Sequence, residues 1–185
     1  MQDERGFGII DMEHIILIGF MGSGKSTVGF RLSYKLKKCL IDTDKLIEEL
    51  EGMSISEMFA VKGEAYFRQK ETECLNRLFY ELGSRVISLG GGTPVREENR
   101  DIIKRLGKVV YLQASPDTIY ERVKHDTSRP LLQCEDPKGR IKELLAVRNP
   151  IYESVADIVI KVDGKEMKNV VQEIVEAVQY ENISN

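Results

Sequence analysis

The stretch Gly19-Phe20-Met21-Gly22-Ser23-Gly24-Lys25-Ser26 decides how the rest of the chain is read. It fits G-x-x-x-x-G-K-[ST], a loop whose glycines let several main-chain N–H groups turn inward around a phosphate. His14-Ile15-Ile16-Leu17-Ile18 before it reads as a short buried strand, and Thr27 to Lys38 after it as a helix. That strand–loop–helix context is what the motif needs, and the helix start adds its positive dipole end. In such a loop Lys25 reaches the β- and γ-phosphates and the Ser26 hydroxyl ligates Mg²⁺.

Length and charge narrow the classes. A chain of 185 residues, 42% apolar and 31% charged, is expected to form one domain with a real core. Its net charge of −3 argues against nucleic-acid binding through a basic face, although clustered arginines can still hold a small anion. Three cysteines, Cys39, Cys74 and Cys134, without a C-x-x-C pair, suggest reduced thiols and a cytoplasmic setting. Two histidines far apart make a zinc site a poor reading, and no apolar run is long enough for a membrane span. Residues 1–13 carry Asp3, Glu4, Asp11 and Glu13, unlike a targeting peptide, and are read as a short extension.

Outward from the loop, strand-like and helix-like stretches alternate, which implies a parallel sheet covered by helices. Cys39 to Asp42 reads as the second strand. A helical zone, about 44–82, is punctuated by Gly52 and Gly63 and contains a capping box, Ser54 with Glu57. Arg85–Leu89 is the third strand and runs into Gly90-Gly91-Gly92; Lys108–Leu112 and Asp157–Val162 are the fourth and fifth. Helices are expected near Arg96–Leu106, from Ser115-Pro116, over Lys138–Arg148 and over Lys165–Tyr180. Between Lys124 and Asp136 the periodicity stops, and a loop of that length inside a compact domain is usually functional or disordered. Ligands should sit at the carboxyl ends of the strands.

Two carboxylates, Asp42 and Asp44, flank Thr43 at the end of the second strand. Capping of the next helix is one use for Asp42 or Thr43. Beside a phosphate loop, the pair also suits metal and hydroxyl chemistry. The third strand offers no Asp to a metal, so Asp42 is the nearest carboxylate donor, with Ser88 placed to help position a water. A loop arginine, Arg129, could close over a transferred phosphate and stabilise developing charge. Met21 and Cys134 have no assigned role.

Taken together, Gly19–Ser26, Asp42-Thr43-Asp44, Phe67-Arg68, Gly90-Gly91-Gly92, Ser128-Arg129-Pro130-Leu131-Leu132 and Arg148-Asn149-Pro150-Ile151-Tyr152 resemble the shikimate kinase family in order and spacing, from Ile15 to about Ile174. The phosphate loop alone is common to many nucleotide enzymes; the other motifs make the resemblance specific. It implies an α/β fold with five parallel strands in the order 2-3-1-4-5, helices on both faces, substrate-binding helices at about 44–82 and a lid at about 124–136. The implied reaction moves the ATP γ-phosphoryl group to the 3-hydroxyl of shikimate, giving shikimate 3-phosphate and ADP. The implied site places Gly22, Ser23, Gly24, Lys25, Ser26 and Thr27 around the ATP phosphates, Arg122 on adenine, and Arg129 on the transferred phosphate. Ser26 and Asp42 serve Mg²⁺, Asp44 contacts the substrate hydroxyls, Arg68 and Arg148 bind its carboxylate, and Gly90, Gly91 and Gly92 lie close to its ring. Lys25, Asp44 and Arg129 are the catalytic set.

The residue chemistry agrees. A small carboxylate wants bidentate guanidinium, which Lys cannot copy. Asp44 beside Arg68 is expected below the usual carboxylate pKa, a weak base that orients the alcohol and takes its proton late. A kinase of another polyol acid such as gluconate and a nucleotide-binding module without turnover are the rival readings; a GTPase lacks its N-K-x-D motif here. The expectation is a monomer whose partner is a small molecule rather than nucleic acid or membrane.

Overall fold

The computed structural model describes residues 14–80, 83–126 and 129–184. The expected extension at 1–13 lies outside them, as do 81 and 82 of the helical zone and 127 and 128 of the expected lid.

Five strands form one sheet in the order β2-β3-β1-β4-β5: β1 (His14–Ile18), β2 (Cys39–Asp42), β3 (Arg85–Ser88), β4 (Gly107–Gln113) and β5 (Ile158–Lys161). All four pairings are parallel. Every residue of β1 is buried, as expected of a central strand covered on both faces, and this is why it reads as an unbroken apolar run. The register sets Asp42 beside Ser88 and Ser88 beside Leu17, so the chain leaves β1, β2 and β3 along one edge. The phosphate loop, the Asp42–Asp44 pair and the three glycines therefore meet there because the topology brings them together.

The helices cover the sheet. They are α1 (Lys25–Leu36), α2 (Thr43–Glu51), α3 (Ile55–Val61), α4 (Glu64–Leu78), α5 (Glu97–Leu106), α6 (Pro116–Val123), α7 (Pro137–Val155) and α8 (Met167–Ser184). Gly52 and Gly63 divide the helical zone as expected, and Ser54 and Glu57 form the complete capping box. Ser115 caps α6 ahead of Pro116. By contrast, α1 opens on Gly24 with no side chain on its first amides, leaving those donors for a ligand.

The largest departure from expectation is at the helix read over Lys138–Arg148: α7 continues past Pro150 to Val155, although proline inside a helix removes a backbone bond. Ile141, Leu145, Arg148, Tyr152 and Val155 form one buried stripe along it, and anchoring Tyr152 and Val155 outweighs the one lost backbone bond. Among the described residues no helix is long and apolar enough to cross a membrane.

Candidate active site

The phosphate loop is shaped from behind. Gly22 has φ of 76°, and a Cβ there would meet Val123 Cγ1 at 2.6 Å, so only glycine fits. Arg122 in α6 donates from Nη1 to the carbonyls of Gly22 and Ser23, both at 3.1 Å, and holds the loop against that helix. Ser23 is fully buried beneath the loop, its Oγ without a hydrogen-bond partner. Lys25 lies along the loop and donates to the carbonyls of Gly19 and Phe20 at 2.8 and 3.0 Å. Burial pulls its ammonium down to about 8, against the opposing pull of Asp44 and Asp42.

Ser26 Oγ donates to Asp42 Oδ2 at 2.8 Å, so the hydroxyl and carboxylate meet at the edge of the loop. Asp42 also caps α2, but its Oδ1 contact with the Lys45 N–H is long at 3.5 Å, leaving that oxygen little committed. Thr43 is buried and stitches α2 to the next loop: its Oγ1 donates to the Ser88 carbonyl at 3.3 Å and accepts from the Gly90 N–H at 3.1 Å.

Two cavities share a wall. One, of about 300 Å³, is lined by Gly22, Gly24, Lys25, Ser26, Thr27, Ser88 and Arg122. The other, of about 340 Å³, lies under α2, α3 and α4 and is lined by Phe59, Phe67, Arg68, Glu71, Gly92 and Arg148. Met21, Ser26, Asp42, Asp44, Gly91 and Arg129 face both. Asp44 Oδ1 is buried there with no hydrogen-bond partner, a carboxylate oxygen awaiting a donor.

The surroundings of Asp44 correct one expectation. Its carboxyl is not lowered by Arg68; burial and the neighbouring Glu71 push it up to about 6, with Lys25 opposing. Arg68 is instead held by Glu71 at 2.7 Å and by Glu64 at 2.8 and 3.1 Å. Those bonds use three of its five N–H donors and leave two for a ligand. Glu71 is 1% exposed and its other oxygen accepts from Thr93 Oγ1 at 2.5 Å. Arg148 is buried on α7 and stacks over the Phe20 ring of the phosphate loop at 5.5 Å. Arg129 pairs with Asp126 at 2.8 Å.

The three glycines do more than bare the backbone to a ring. A Cβ on Gly90 would lie 2.5 Å from Asp44 Oδ1 and 2.6 Å from Glu71 Oε1, and one on Gly92 would land on the Arg68 guanidinium. Gly90 is buried beneath those side chains, whereas Gly91 and Gly92 line the second cavity. Sequence reasoning missed Glu71, although the signal was present: it shares the buried face of α4 with Phe67, Cys74, Leu75 and Leu78, and a carboxylate on an apolar stripe needs a partner. It missed Phe20 and Tyr152 too, and the structure places Met21 on the shared wall. No disulfide links Cys39, Cys74 and Cys134.

A parallel sheet in this order, a phosphate loop opening an uncapped helix, and a second polar cavity against it define a phosphate-loop kinase of small molecules. The shikimate kinase family profile matches residues 21–179, and the chain belongs to that family. A shikimate kinase of Deinococcus radiodurans is 46% identical over 162 residues, 88% of this chain and 81% of the relative. One from Thermodesulfovibrio yellowstonii is 44% identical over 174 residues, covering 94% and 98%. The solved shikimate kinase from Acinetobacter baumannii in complex with shikimate superposes with a TM-score of 0.89 at 34% identity, covering 93% of this chain and 96% of that one. A gluconokinase from Sinorhizobium meliloti, at TM-score 0.59 and 19% identity, shares the fold alone.

Proposed function

We propose that the chain phosphorylates the 3-hydroxyl of shikimate with ATP, releasing shikimate 3-phosphate and ADP. The observation that carries this reading is Asp44: a buried carboxylate oxygen without a donor, on the wall shared by a cavity lined by the phosphate loop and one lined by arginines. The open amides of the loop and α1, with Lys25, Ser26 and Thr27, take the triphosphate; Gly22, Ser23 and Gly24 shape that cradle, and Arg122 flanks it on the adenine side. A triphosphate would raise Lys25 from about 8 and keep it charged. Arg68, through its two uncommitted N–H groups, and Arg148 take the substrate carboxylate. Gly91 and Gly92 form the adjoining wall, and Gly90 makes room for Asp44.

Asp44 aligns the alcohol for attack. At about 6 it is ionised at neutral pH and a better base than a free aspartate, so it accepts the proton as the bond to phosphorus forms. In a loose phosphoryl-transfer transition state little proton removal is needed early. Arg129, facing both cavities, meets the charge on the moving group.

Ser26 and Asp42 suit Mg²⁺, which takes few protein oxygens and completes its shell with phosphates and water. Held there by Ser26 and Asp42, Mg²⁺ would supply positive charge that offsets the charge of the nucleotide phosphates. Helices α2–α4 form the acid-binding side, residues 124–136 act as the lid, and one chain supplies both cavities, so the reading is a monomer. Free thiols suit a reducing cytoplasm. A coupled ADP-release assay tests the reaction: turnover with shikimate and not gluconate is expected, and none with shikimate would overturn it.

A further inference from the structure

The loop after β3 is braced by side chains from four helices, α2, α4, α5 and α7, and the brace from α7 has no assigned role. Tyr152 is fully buried on α7, and its Oη donates to the Gly91 carbonyl at 2.6 Å. Burial pushes its phenol up to about 12, so the hydroxyl stays a donor across the working pH range. The ring is fixed independently, packed against Tyr111 with centroids 5.1 Å apart.

We infer that Tyr152 is a positioning residue that sets the Gly91–Gly92 peptide plane and thereby aims the Gly92 N–H at the acid substrate. This rests on the function proposed above. The described residues contain no cis peptide bond, and in a trans peptide the carbonyl and the following N–H point in opposite directions. Tying the Gly91 oxygen back to α7 therefore turns the Gly92 N–H the other way, and Gly92 lines the second cavity. The peptide needs such a hold because glycine resists rotation weakly. Its neighbours are already fixed: Thr43 takes the Gly90 N–H, and Thr93, whose N–H donates to the Gly90 carbonyl, is bound by Glu71. Gly91 also packs on the phosphate loop, where a Cβ would meet the Gly19 carbonyl at 3.2 Å. Arg148 lies one turn before Tyr152 on α7, so the same helix carries a guanidinium for the carboxylate and the hydroxyl that orients a main-chain donor beside it.

Tyr152→Phe removes only the oxygen. The KM for shikimate is expected to rise about five- to tenfold, while the KM for ATP stays within about twofold; because the hydroxyl also meets Arg148, the Gly92 amide is the readout that belongs to the peptide. In the ligand-free protein the Gly92 amide resonance should shift. Tyr111→Phe is the control, since it loses a hydroxyl bonded to Asn149 on the same helix at 2.9 Å. It should lower the melting temperature and leave both KM values unchanged. An unshifted Gly92 amide, an unchanged shikimate KM, or equal rises in both KM values in Tyr152→Phe would overturn the inference. A wild-type protein inactive on shikimate would overturn the proposed function instead, and the Gly92 resonance would still decide whether Tyr152 sets the peptide.

Discussion

Asp44 is held ionised at a cost to the empty protein. Its ordinary value near 3.8 is raised to about 6, chiefly by burial and then by Glu71, so folding favours the protonated form. That contribution to stability is full below pH 3.8 and lost as pH rises through 6. Asparagine imitates the protonated state, so Asp44→Asn should stabilise the ligand-free protein at pH 8 by on the order of 3 kcal/mol. The gain should fade between pH 6 and 3.8 in paired denaturant melts, and a pH-independent difference would contradict the assignment. The same variant should lose at least about a hundredfold in turnover while still binding ATP, as expected for removal of a base. Arg68 gives a second test. Lysine cannot reproduce the planar fork that meets Glu71, Glu64 and a carboxylate together. Arg68→Lys should raise the shikimate KM by more than about tenfold, given the strength of charge-assisted pairs, and leave the ATP KM near its wild-type value. Equal losses for both substrates would remove Arg68 from the carboxylate site.

On the proposed function, the mutual angle of α2, α3 and α4 matters because Asp44 stands in the first turn of α2 while Arg68 and Glu71 stand on α4. Glu51, the last residue of α2, ties that helix to the end of α3 and to the first half of α4. Its Oε2 accepts from Tyr66 Oη at 2.5 Å and pairs with Lys62 at 3.2 Å, and its Oε1 pairs with Lys70 at 3.2 Å. The Tyr66 bond comes first in pulling the Glu51 carboxyl down to about 2, so the clamp stays charged at working pH. Such pairs are screened by salt. Glu51→Gln should raise the shikimate KM about threefold, in keeping with partly exposed ion pairs, and leave the ATP KM alone. The shikimate KM should climb with sodium chloride in both proteins, since an anion is bound by arginines, but more steeply in the wild type, which also loses the clamp; parallel salt curves would show that the clamp does not set the angle. The helices were legible in sequence because their punctuation is local: Gly52, Gly63 and the Ser54–Glu57 box end or start a turn by their own chemistry. The continuation of α7 past Pro150 was not, because it depends on Tyr152 and Val155 finding a core contributed by distant segments. Glu71 is halfway between the two cases: Arg68 stands three residues before it on α4, a local pair, whereas Thr93 reaches it only after the sheet has formed.

At the scale of the molecule, the sheet order followed from the family resemblance, and the meeting of sites at its edge followed from parallel register. The contact between the two cavities needed coordinates. No motif announces that Phe20 of the phosphate loop lies under Arg148, or that Gly91 packs on the Gly19 carbonyl. These contacts make the nucleotide and acid sites one body, and Arg129 adds a charge that faces both. Nucleotide bound in the first cavity would attract the Arg129 guanidinium toward the shared wall, where it also meets the substrate hydroxyl side. Binding of one ligand should then favour the other, and by linkage the two effects must be equal. Calorimetric titration of shikimate should show affinity about fivefold tighter in saturating ADP and Mg²⁺ than in their absence, a coupling of about 1 kcal/mol. In Arg129→Ala that ratio should fall toward one, with shikimate affinity in the absence of nucleotide changed little, since the proposed carboxylate holders, Arg68 and Arg148, are untouched. A ratio that survives the substitution would assign the coupling to the Phe20–Arg148 stack, and Phe20→Leu, which keeps an apolar side chain and removes the aromatic face, should then abolish it.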